Sequence, residues 1–284
     1  MSLDICLVAP YPPAGERHGG HSGVASYAAN LAHALSRAGL GVHVVAAELD
    51  GDPQHFTDGP VEVHRAFRFG PRALPGAARA VRALAPPLVH LQWELFLYGG
   101  PPSIPGLFPA LGSFASHRRE RPLVVTLHQV VDPAYVDRGY TRLHRVKAPA
   151  LAARAGLAGV QFAVRQAASA TIVHEEPFQR LVPDAVVIPH GVEQTTPVDR
   201  DAARAALGLD DRLTVVCFGF VAPYKGLETA LAAAELAGPG VQLVVAGGEH
   251  PRMVADGYVA ELHARYGRVA TFTPRTWSAR PRLV

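Results

Sequence analysis

The 284-residue chain has little cysteine and little charge. Its two cysteines, Cys6 and Cys217, are far apart, and each lies inside an apolar run. A disulfide-stapled fold is therefore excluded, and a reduced, cytoplasmic setting is predicted. Charged residues make up 18% of the chain and hydrophobic residues 49%, which is typical of a globular protein and excludes a disordered or fibrous one.

A long apolar run is also missing. The most apolar stretch, residues 148–164, is interrupted by Arg154 and Gln161 and is shorter than a membrane span requires. The N-terminus carries Asp4 and turns at Pro10, so it lacks the basic start and long apolar segment of a signal peptide. A membrane-spanning or secreted protein is not predicted.

Lysine is scarce, because only Lys147 and Lys225 are found among 27 basic residues. The net charge of +3 is too small to indicate nucleic-acid binding. Two stretches contain arginines and no acid. Between Glu62 and Glu94 they are Arg65, Arg68, Arg72, Arg79 and Arg82; in 138–165 the basic residues are Arg138, Arg142, Arg145, Lys147, Arg154 and Arg165. The stretches reflect either a GC-rich genome or an anionic partner, and for 138–165 we expect peripheral contact with the inner membrane surface or a lipid-linked acceptor.

Short apolar runs alternate with helical periodicity, which predicts an α/β fold with doubly wound parallel sheets. The predicted strands of the first unit are 3–9, 42–47, 61–65, 88–92, 123–128, 170–174 and 186–189. Its predicted helices are 24–38, 76–85, 107–117 and 142–168.

The pattern predicts two domains. Residues 1–189 form an N-terminal Rossmann-like domain, 190–199 a linker, and 200–284 a partial C-terminal Rossmann-like domain. The second domain has predicted strands 214–218, 241–246 and 269–272 with helices 227–237 and 259–266, about half of a doubly wound domain. The tail 274–284 has no secondary-structure period, so the chain is expected to be truncated within this fold.

Two glycine-containing junctions are candidate phosphate sites. The loop 19–24, with Gly20 and Gly23, precedes the first helix, although it lacks the spacing of the dinucleotide fingerprint. The junction 219–226 follows a buried strand, opens a helix and carries Lys225, so a cation and a helix N-terminus meet there. Ordinary connections would have the same composition, but Lys225 favours diphosphate binding.

Strand ends supply further candidates. His128 ends a predicted strand, and Glu94 follows another, at the edge where open parallel sheets bind ligands. Both residues also suit purely structural roles. The acidic turn 50–52 has the D-x-D form of a metal–nucleotide site but is most simply a turn, and 174–178 lacks the second histidine of a zinc protease helix.

Five segments together resemble glycosyltransferase family 4, a group with the GT-B architecture of two Rossmann-like domains. These segments are 19–24, 90–96, 124–128, 187–192 and 218–226, and the resemblance extends to about Thr273. It implies a retaining transfer of sugar from a nucleotide-sugar donor to a sugar, lipid-linked or small-molecule acceptor. It further implies an acceptor-side first domain, a nucleotide-sugar-binding second domain, no metal and no other cofactor.

The resemblance also assigns residues. Lys225, with Gly219 and Gly226, matches the donor diphosphate site, and His128 matches a strand-end histidine that contacts the donor sugar. Gly20 and Gly23 match the loop near the phosphates and acceptor. Glu94 matches a position that is sometimes acidic, and it is grouped with His128 as a candidate catalytic residue.

The sequence departs from the family in two places. Phe220 stands where many relatives carry an arginine, and no pair of glutamates eight positions apart follows Lys225. We therefore expect impaired transfer by this chain. The alternatives are another GT-B nucleotide-sugar enzyme, such as an epimerase, and a non-catalytic remnant that binds sugar or lipid acceptors.

Overall fold

The computed structural model describes residues 3–16, 22–116, 121–144, 146–194, 196–248 and 257–273. The chain divides into two compact units, Met1–Val192 (unit 1) and Glu193–Val284 (unit 2). This division falls inside the segment 190–199, which the sequence predicts as a linker.

The described part of unit 1 is built on one eight-stranded sheet. Its strands are β1 (Ile5–Val8), β2 (Val42–Ala47), β3 (His55–Asp58), β4 (Val61–Phe67), β5 (Leu88–Trp93), β6 (Leu123–Leu127), β7 (Ala170–Val173) and β8 (Val186–Val187). Their order is β3-β4-β2-β1-β5-β6-β7-β8, and only β3 is antiparallel to its neighbour. Since β1 pairs with both β2 and β5, the winding direction reverses at β1, as in doubly wound folds.

Helices cover both faces of this sheet. They are α1 (Gly23–Arg37), α2 (Ala73–Leu84), α3 (Ile104–Ala115), α4 (Arg138–Leu143), α5 (Ala150–Ala167) and α6 (Glu176–Leu181), with 3₁₀ turns at Pro101–Ser103 and Pro133–Tyr135. Alternate residues of β1 enter different cores, because successive side chains of a strand point to opposite faces. Cys6 and Val8 pack with residues of α2, α3 and α5, whereas Ile5 and Leu7 pack with α1.

Unit 2 repeats the pattern on a smaller scale in its described residues. Strands β9 (Leu213–Phe218), β10 (Val241–Ala246) and β11 (Ala270–Thr273) form a parallel sheet in the order β11-β10-β9. The helices are α7 (Arg200–Ala206), α8 (Leu227–Ala237) and α9 (Tyr258–Tyr266), with 3₁₀ turns at Pro223–Lys225 and Gly238–Gly240. Leu231 of α8 and Leu262 of α9 pack with Leu243 and Val245 of β10. The tail 274–284 lies outside the described residues.

The α/β prediction is confirmed, with three local corrections. The predicted helix 142–168 is two helices, α4 and α5, because Pro149 has no N–H and disfavours helical geometry in the residue before it. Strand β3 was not predicted, since its sequence HFTD has no apolar run and relies on pairing with β4. Helix α7 was not predicted either, and Asp199 caps it by accepting hydrogen bonds from the backbone of Asp201 and Ala202.

The two cysteines are free, and burial raises the pKa of the Cys6 thiol to about 12.

Among the described residues, no helix combines the length and the apolar character that crossing a bilayer requires.

Candidate active site

Four aromatic rings meet beyond the carboxyl ends of three neighbouring strands in unit 1. Tyr27 lies on α1, while His128, His174 and His190 follow β6, β7 and β8. The Tyr27 ring meets the three imidazoles edge-on, with centroid distances of 4.8, 5.3 and 5.0 Å. His174 lies 3.7 Å from His190 and 5.0 Å from His128, centroid to centroid. We call these four residues the carboxyl-end cluster; they occupy the edge at which open α/β sheets bind ligands.

Hydrogen bonds fix the tautomers of two imidazoles. His128 Nε2 lies 2.8 Å from Gln92 Oε1, which can only accept, so His128 donates through Nε2 and keeps Nδ1 as an acceptor. His174 Nδ1 donates to the carbonyl of Ile188 at 2.9 Å, which leaves Nε2 of His174 as an acceptor. The cluster therefore offers unprotonated ring nitrogens.

Two polar atoms of this region are buried without a hydrogen-bond partner among the described residues: Gln92 Nε2, a donor, and His174 Nε2, an acceptor. An unpaired buried polar group costs about 1–3 kcal/mol. A water molecule or a ligand hydroxyl group would satisfy both atoms, because each can donate and accept a hydrogen bond.

Desolvation lowers the pKa values of two histidines of the cluster, His128 and His190. Desolvation, helped by repulsion from neighbouring histidines, lowers the pKa of His128 to about 3. Desolvation followed by repulsion from His174 lowers the pKa of His190, against the opposing effect of Glu175. Burial also raises the pKa of the Tyr27 hydroxyl. At neutral pH the region is suited to hydrogen bonding with a neutral ligand such as a sugar, rather than to ion pairing.

Glu94 lies next to His128 in the sheet, because Trp93 and Leu127 are register partners in β5 and β6. Its carboxylate Oε1 accepts a hydrogen bond from the backbone N–H of Phe96 at 3.0 Å. This contact stabilises the turn after β5. A catalytic role for Glu94 therefore stays a prediction, whereas a structural one is visible.

The predicted phosphate or acceptor loop is only partly described. Gly20 lies outside the described residues. Gly23 is the first residue of α1, and a Cβ added there would meet no atom within 4 Å. Ser22 takes the N-cap position without a side-chain capping bond, and its hydroxyl has no partner among the described residues. The start of α1 thus leaves polar groups available to a ligand.

Unit 2 places the predicted diphosphate residues at the junction after β9. Lys225 is exposed and ends a 3₁₀ turn, and its ammonium lies 5.4 Å from the centroid of the Tyr224 ring. Gly226 follows with φ +63° and is the N-cap of α8, a conformation that favours glycine. Lys225 and the start of α8 are therefore adjacent, as the sequence predicts.

A tight backbone approach shapes the same junction. Gly219 has φ +122°, and its N–H donates to the carbonyl of Ala246 at 3.0 Å. A Cβ on Gly247 would collide with the carbonyl oxygen of Gly219. The loops after β9 and β10 can pass this closely only because glycine is present on both sides. Gly247 was not singled out from the sequence.

Sequence reasoning did not select Tyr27, Gln92, His174 or His190 as members of the site, although His190 lies in the family-like segment 187–192. His174 was considered only as part of a zinc protease helix, while Tyr27 and Gln92 fall within ordinary helix and strand patterns. One available signal was that His128 and His174 each directly follow a strand.

The three imidazoles also bear on the prediction that no metal is required. One ring nitrogen from each of His128, His174 and His190 lies within 4.8 Å of the others, which is a donor set that Zn²⁺ accepts. The absence of a metal from the reaction therefore remains a prediction.

The basic stretch 138–165 lies in unit 1, on α4, α5 and the loop between them. Arg138, Arg142, Lys147 and Arg154 are exposed, Arg165 is half-buried, and Arg145 lies outside the described residues. Arg154 donates to the carbonyls of Ala134 and Val136, and Arg165 lies 3.6 Å from Asp184.

In the other arginine stretch, between Glu62 and Glu94, Arg65 has a structural role. It is buried in an ion pair with Asp52 at 2.5 Å.

Solved structures define the class of fold. The chain is similar to HepE of Anabaena, solved with UDP and glucose, with a TM-score of 0.59 and 19% identity over 97% of this chain and 70% of that one. It is also similar to the catalytic domain of starch synthase IV from Arabidopsis thaliana, bound to ADP and acarbose, with a TM-score of 0.57 and 13% identity over 97% and 75% of the two chains. A glycosyltransferase of Rickettsia africae gives a TM-score of 0.54 at 11% identity, over 96% and 68%. The fold is that of GT-B glycosyltransferases.

Residues 22–191, more than half of the chain, match the glycosyl transferase 4-like domain, and the protein belongs to this family. A shorter segment of 55 residues is 58% identical to the D-inositol 3-phosphate glycosyltransferases of Mycobacterium sp. strains KMS and MCS. That segment spans 19% of this chain and 12% of the length of these relatives.

Proposed function

We propose that the protein is a retaining glycosyltransferase that moves a hexosyl group from a nucleotide-sugar to the hydroxyl of a sugar, lipid-linked or small-molecule acceptor. The observation that carries the proposal is the carboxyl-end cluster, in a chain whose residues 22–191 belong to a glycosyltransferase family. The neutral imidazole of His128, whose Nδ1 is an acceptor, suits a hydroxyl group of a sugar.

In unit 1 we assign His128 to the donor sugar. Its Nε2–H is held by Gln92, so the ring is fixed in orientation and its Nδ1 accepts from a sugar hydroxyl. The unpaired Nε2 of His174 is a second acceptor. The loop before α1, with Gly20 and Gly23, is assigned to phosphates and acceptor.

In unit 2 we assign Lys225, Gly219 and Gly226 to the donor diphosphate. When the bond between the anomeric carbon and the diphosphate oxygen breaks, negative charge accumulates on the leaving nucleoside diphosphate. An ammonium beside a helix N-terminus stabilises that charge and lowers the barrier. The presence of UDP in HepE and of ADP in starch synthase IV supports a nucleoside diphosphate as the leaving group.

A binding experiment with a nucleotide and with its nucleotide-sugar distinguishes the assignment of Lys225 to the diphosphate from that of His128 to the sugar. Titration calorimetry with UDP alone and with UDP-glucose, repeated with ADP and GDP counterparts, measures the diphosphate and sugar contributions independently. Lys225→Ala should weaken both ligands, because both carry the diphosphate. His128→Ala should weaken the nucleotide-sugar about tenfold, the equivalent of about 1.4 kcal/mol, and leave the nucleotide unchanged.

Matched controls test specificity. Arg268→Ala removes an exposed cation elsewhere in unit 2, and His33→Gln changes a histidine of α1 that contacts Asp58 at 3.0 Å. Both should bind like the unaltered protein. Equal loss in a control and in its partner variant would contradict the assignment.

Turnover tests the reaction itself. With D-inositol 3-phosphate, the substrate in the name of the mycobacterial relatives, and simple glycosides as acceptors, the product should keep the anomeric configuration of the donor. Lys225→Ala should lower the rate roughly 10²–10³-fold, as for the loss of one preorganised donor. A donor epimerised without an acceptor would favour an epimerase, and binding without turnover would favour a non-catalytic protein.

We also propose that the basic stretch 138–165 contacts an anionic surface that carries the acceptor. The support is an exposed face on which Leu151 and Phe162, 76% and 63% exposed, accompany Lys147 and Arg154. In flotation with vesicles, the protein should be recovered on anionic vesicles at low salt and lost at high salt. Equal recovery on neutral vesicles would exclude an electrostatic contact.

A further inference from the structure

A second group of histidines lies in unit 1 near the amino ends of β2 and β4. His43 is the second residue of β2, His55 begins β3, and Glu62 and His64 are on β4. The carboxyl-end cluster lies beyond the opposite ends of parallel strands, so the two groups are separate. We call these four residues the sheet-edge cluster.

The strand register places the four side chains on one face. His43 is the register partner of Glu62 in the parallel pair β2–β4, and His55 is the partner of His64 in the antiparallel pair β3–β4. Glu62 and His64 are two residues apart, so they project from the same side of the strand. Three adjacent strands therefore direct four polar side chains to a single place.

The side chains are already in contact. His43 Nδ1 lies 3.0 Å from His64 Nε2, and His55 Nε2 lies 2.7 Å from Glu62 Oε2. The rings of His55 and His64 are 4.8 Å apart, centroid to centroid. The His43–His64 contact needs one proton between two basic nitrogens, and a metal ion can take the place of such a proton.

The donor set has the composition of a transition-metal site. One ligand atom from each of His55, Glu62 and His64 lies within 4.8 Å of the others. Tetrahedral Zn²⁺ with bonds of about 2.0–2.1 Å needs ligand atoms roughly 3.3 Å apart, so modest rotations would close the site. The His55 side chain is 56% exposed and free to make such a rotation.

The pKa values of three members of the sheet-edge cluster are shifted. Desolvation, the largest effect, and repulsion between the rings lower the pKa values of His43 and His64. A hydrogen bond with His55 lowers the pKa of Glu62. At neutral pH His43 and His64 are therefore uncharged and Glu62 is ionised.

We propose that His55, Glu62 and His64, together with His43 beside His64, form a structural Zn²⁺ site that joins the edge strand β3 and its neighbour β4 to β2. Four protein ligands would close the coordination sphere, which is the pattern of structural rather than catalytic zinc. The site would stabilise a short edge strand whose sequence HFTD contributes few apolar contacts. It acts independently of sugar transfer.

The test uses the full chain without a polyhistidine tag, made metal-free and titrated with ZnCl₂. Calorimetry should give a site with a dissociation constant well below ~100 μM, and binding should slow amide exchange in β3 and β4. His55→Ala and Glu62→Gln should each weaken Zn²⁺ at least tenfold. The two side chains are 56% and 38% exposed and Glu62→Gln keeps its size, so neither change opens a cavity in the core.

His174→Ala is the decisive control, because the carboxyl-end cluster also contains three imidazoles. It should leave the protection of β3 and the affinity of this site unchanged. The proposal is overturned if Zn²⁺ does not bind, or if the affinity is lost in His174→Ala and kept in His55→Ala.

Discussion

Strands β1 and β9 are both apolar in sequence, but they differ in how deeply they are buried. All four residues of β1 (ICLV) are buried, whereas four of the six residues of β9 (LTVVCF) are exposed. β1 is central in its sheet and has helices on both faces, while β9 has β10 as its single partner among the residues that the structure describes. An apolar run therefore predicts a strand but not how many layers cover it.

The charged residues of the two units differ in the same way. In unit 1, Arg65 is 5% exposed and donates to Asp52, Ala47 and Pro12 at 2.6–2.9 Å. In unit 2, Arg212 pairs with Asp210 at 2.8 Å, and the two side chains are 44% and 57% exposed. Buried and exposed ion pairs have very different energetic consequences, and this difference can be measured.

The largest effect is expected for Arg65→Leu. Asp52 loses its partner in a largely buried place, and breaking a buried pair costs about 3–5 kcal/mol. Arg212→Leu, the same change in the exposed pair, should leave stability nearly unaltered. Hydrogen exchange read by mass spectrometry reports the opening free energy of each unit separately.

A double variant sharpens this comparison. Asp52→Leu combined with Arg65→Leu should recover part of the lost stability, because no unpaired charge is left. If Arg65→Leu and Arg212→Leu had equal effects, the buried pair would have no special energetic role.

A slightly smaller effect is expected for leucines in the two sheets. Leu91 in β5 is fully buried, and Leu213 in β9 is 67% exposed. Leu91→Ala should cost about 2–5 kcal/mol, through lost burial and a cavity. Leu213→Ala should stay within ~0.5 kcal/mol. Similar costs, measured by the same exchange experiment, would mean that β9 is covered in solution.

The smallest effect concerns acid. The pKa of His128 is about 3 and that of buried His90 about 4, both below the unfolded value near 6.5. Below about pH 6.5 these histidines are protonated in the unfolded chain but stay neutral in the folded chain. The free energy of unfolding is therefore highest above about pH 6.5 and decreases as the pH falls towards the folded pKa values. Each histidine contributes a slope of about 1.4 kcal/mol per pH unit.

Urea unfolding of unit 1 at about pH 7, 6 and 5 measures that slope. His128→Gln should reduce the slope of the unfolding free energy against pH by the contribution of one histidine. His263→Gln, on the exposed part of α9 in unit 2, should leave the slope of unit 1 unchanged. A slope in His128→Gln equal to that of the unaltered protein would mean that His128 titrates normally in the folded state.

The comparison of predicted and observed elements has a consistent pattern. Strands with apolar runs, such as β1, β6 and β10, are found where the sequence places them, because burial on both faces demands an unbroken apolar segment. Strand β3 and the break at Pro149 were missed. The first depends on pairing with a neighbour, and the second on a single residue inside an otherwise helical pattern.

In the candidate site too, some residues have a local signature in the sequence and others do not. Lys225 and His128 could be selected from the sequence, since each directly follows a strand or opens a helix and therefore has a local signature. Tyr27 and Gln92 could not, because neither has a local feature that distinguishes it from its neighbours. Gln92 reaches His128 because β5 pairs with β6, and Tyr27 reaches it through the packing of α1.

The sequence by itself determined the alternation of strands and helices, the α/β class and the positions of the glycines and lysine at the junctions. These follow from local physics: the period of apolar residues, the fixed φ of proline and the conformational freedom of glycine. The tertiary structure decided which strand ends became neighbours. It brought His128, His174 and His190 around Tyr27, and His43 beside His64, because parallel strands distant in sequence hydrogen-bond side by side and align their ends.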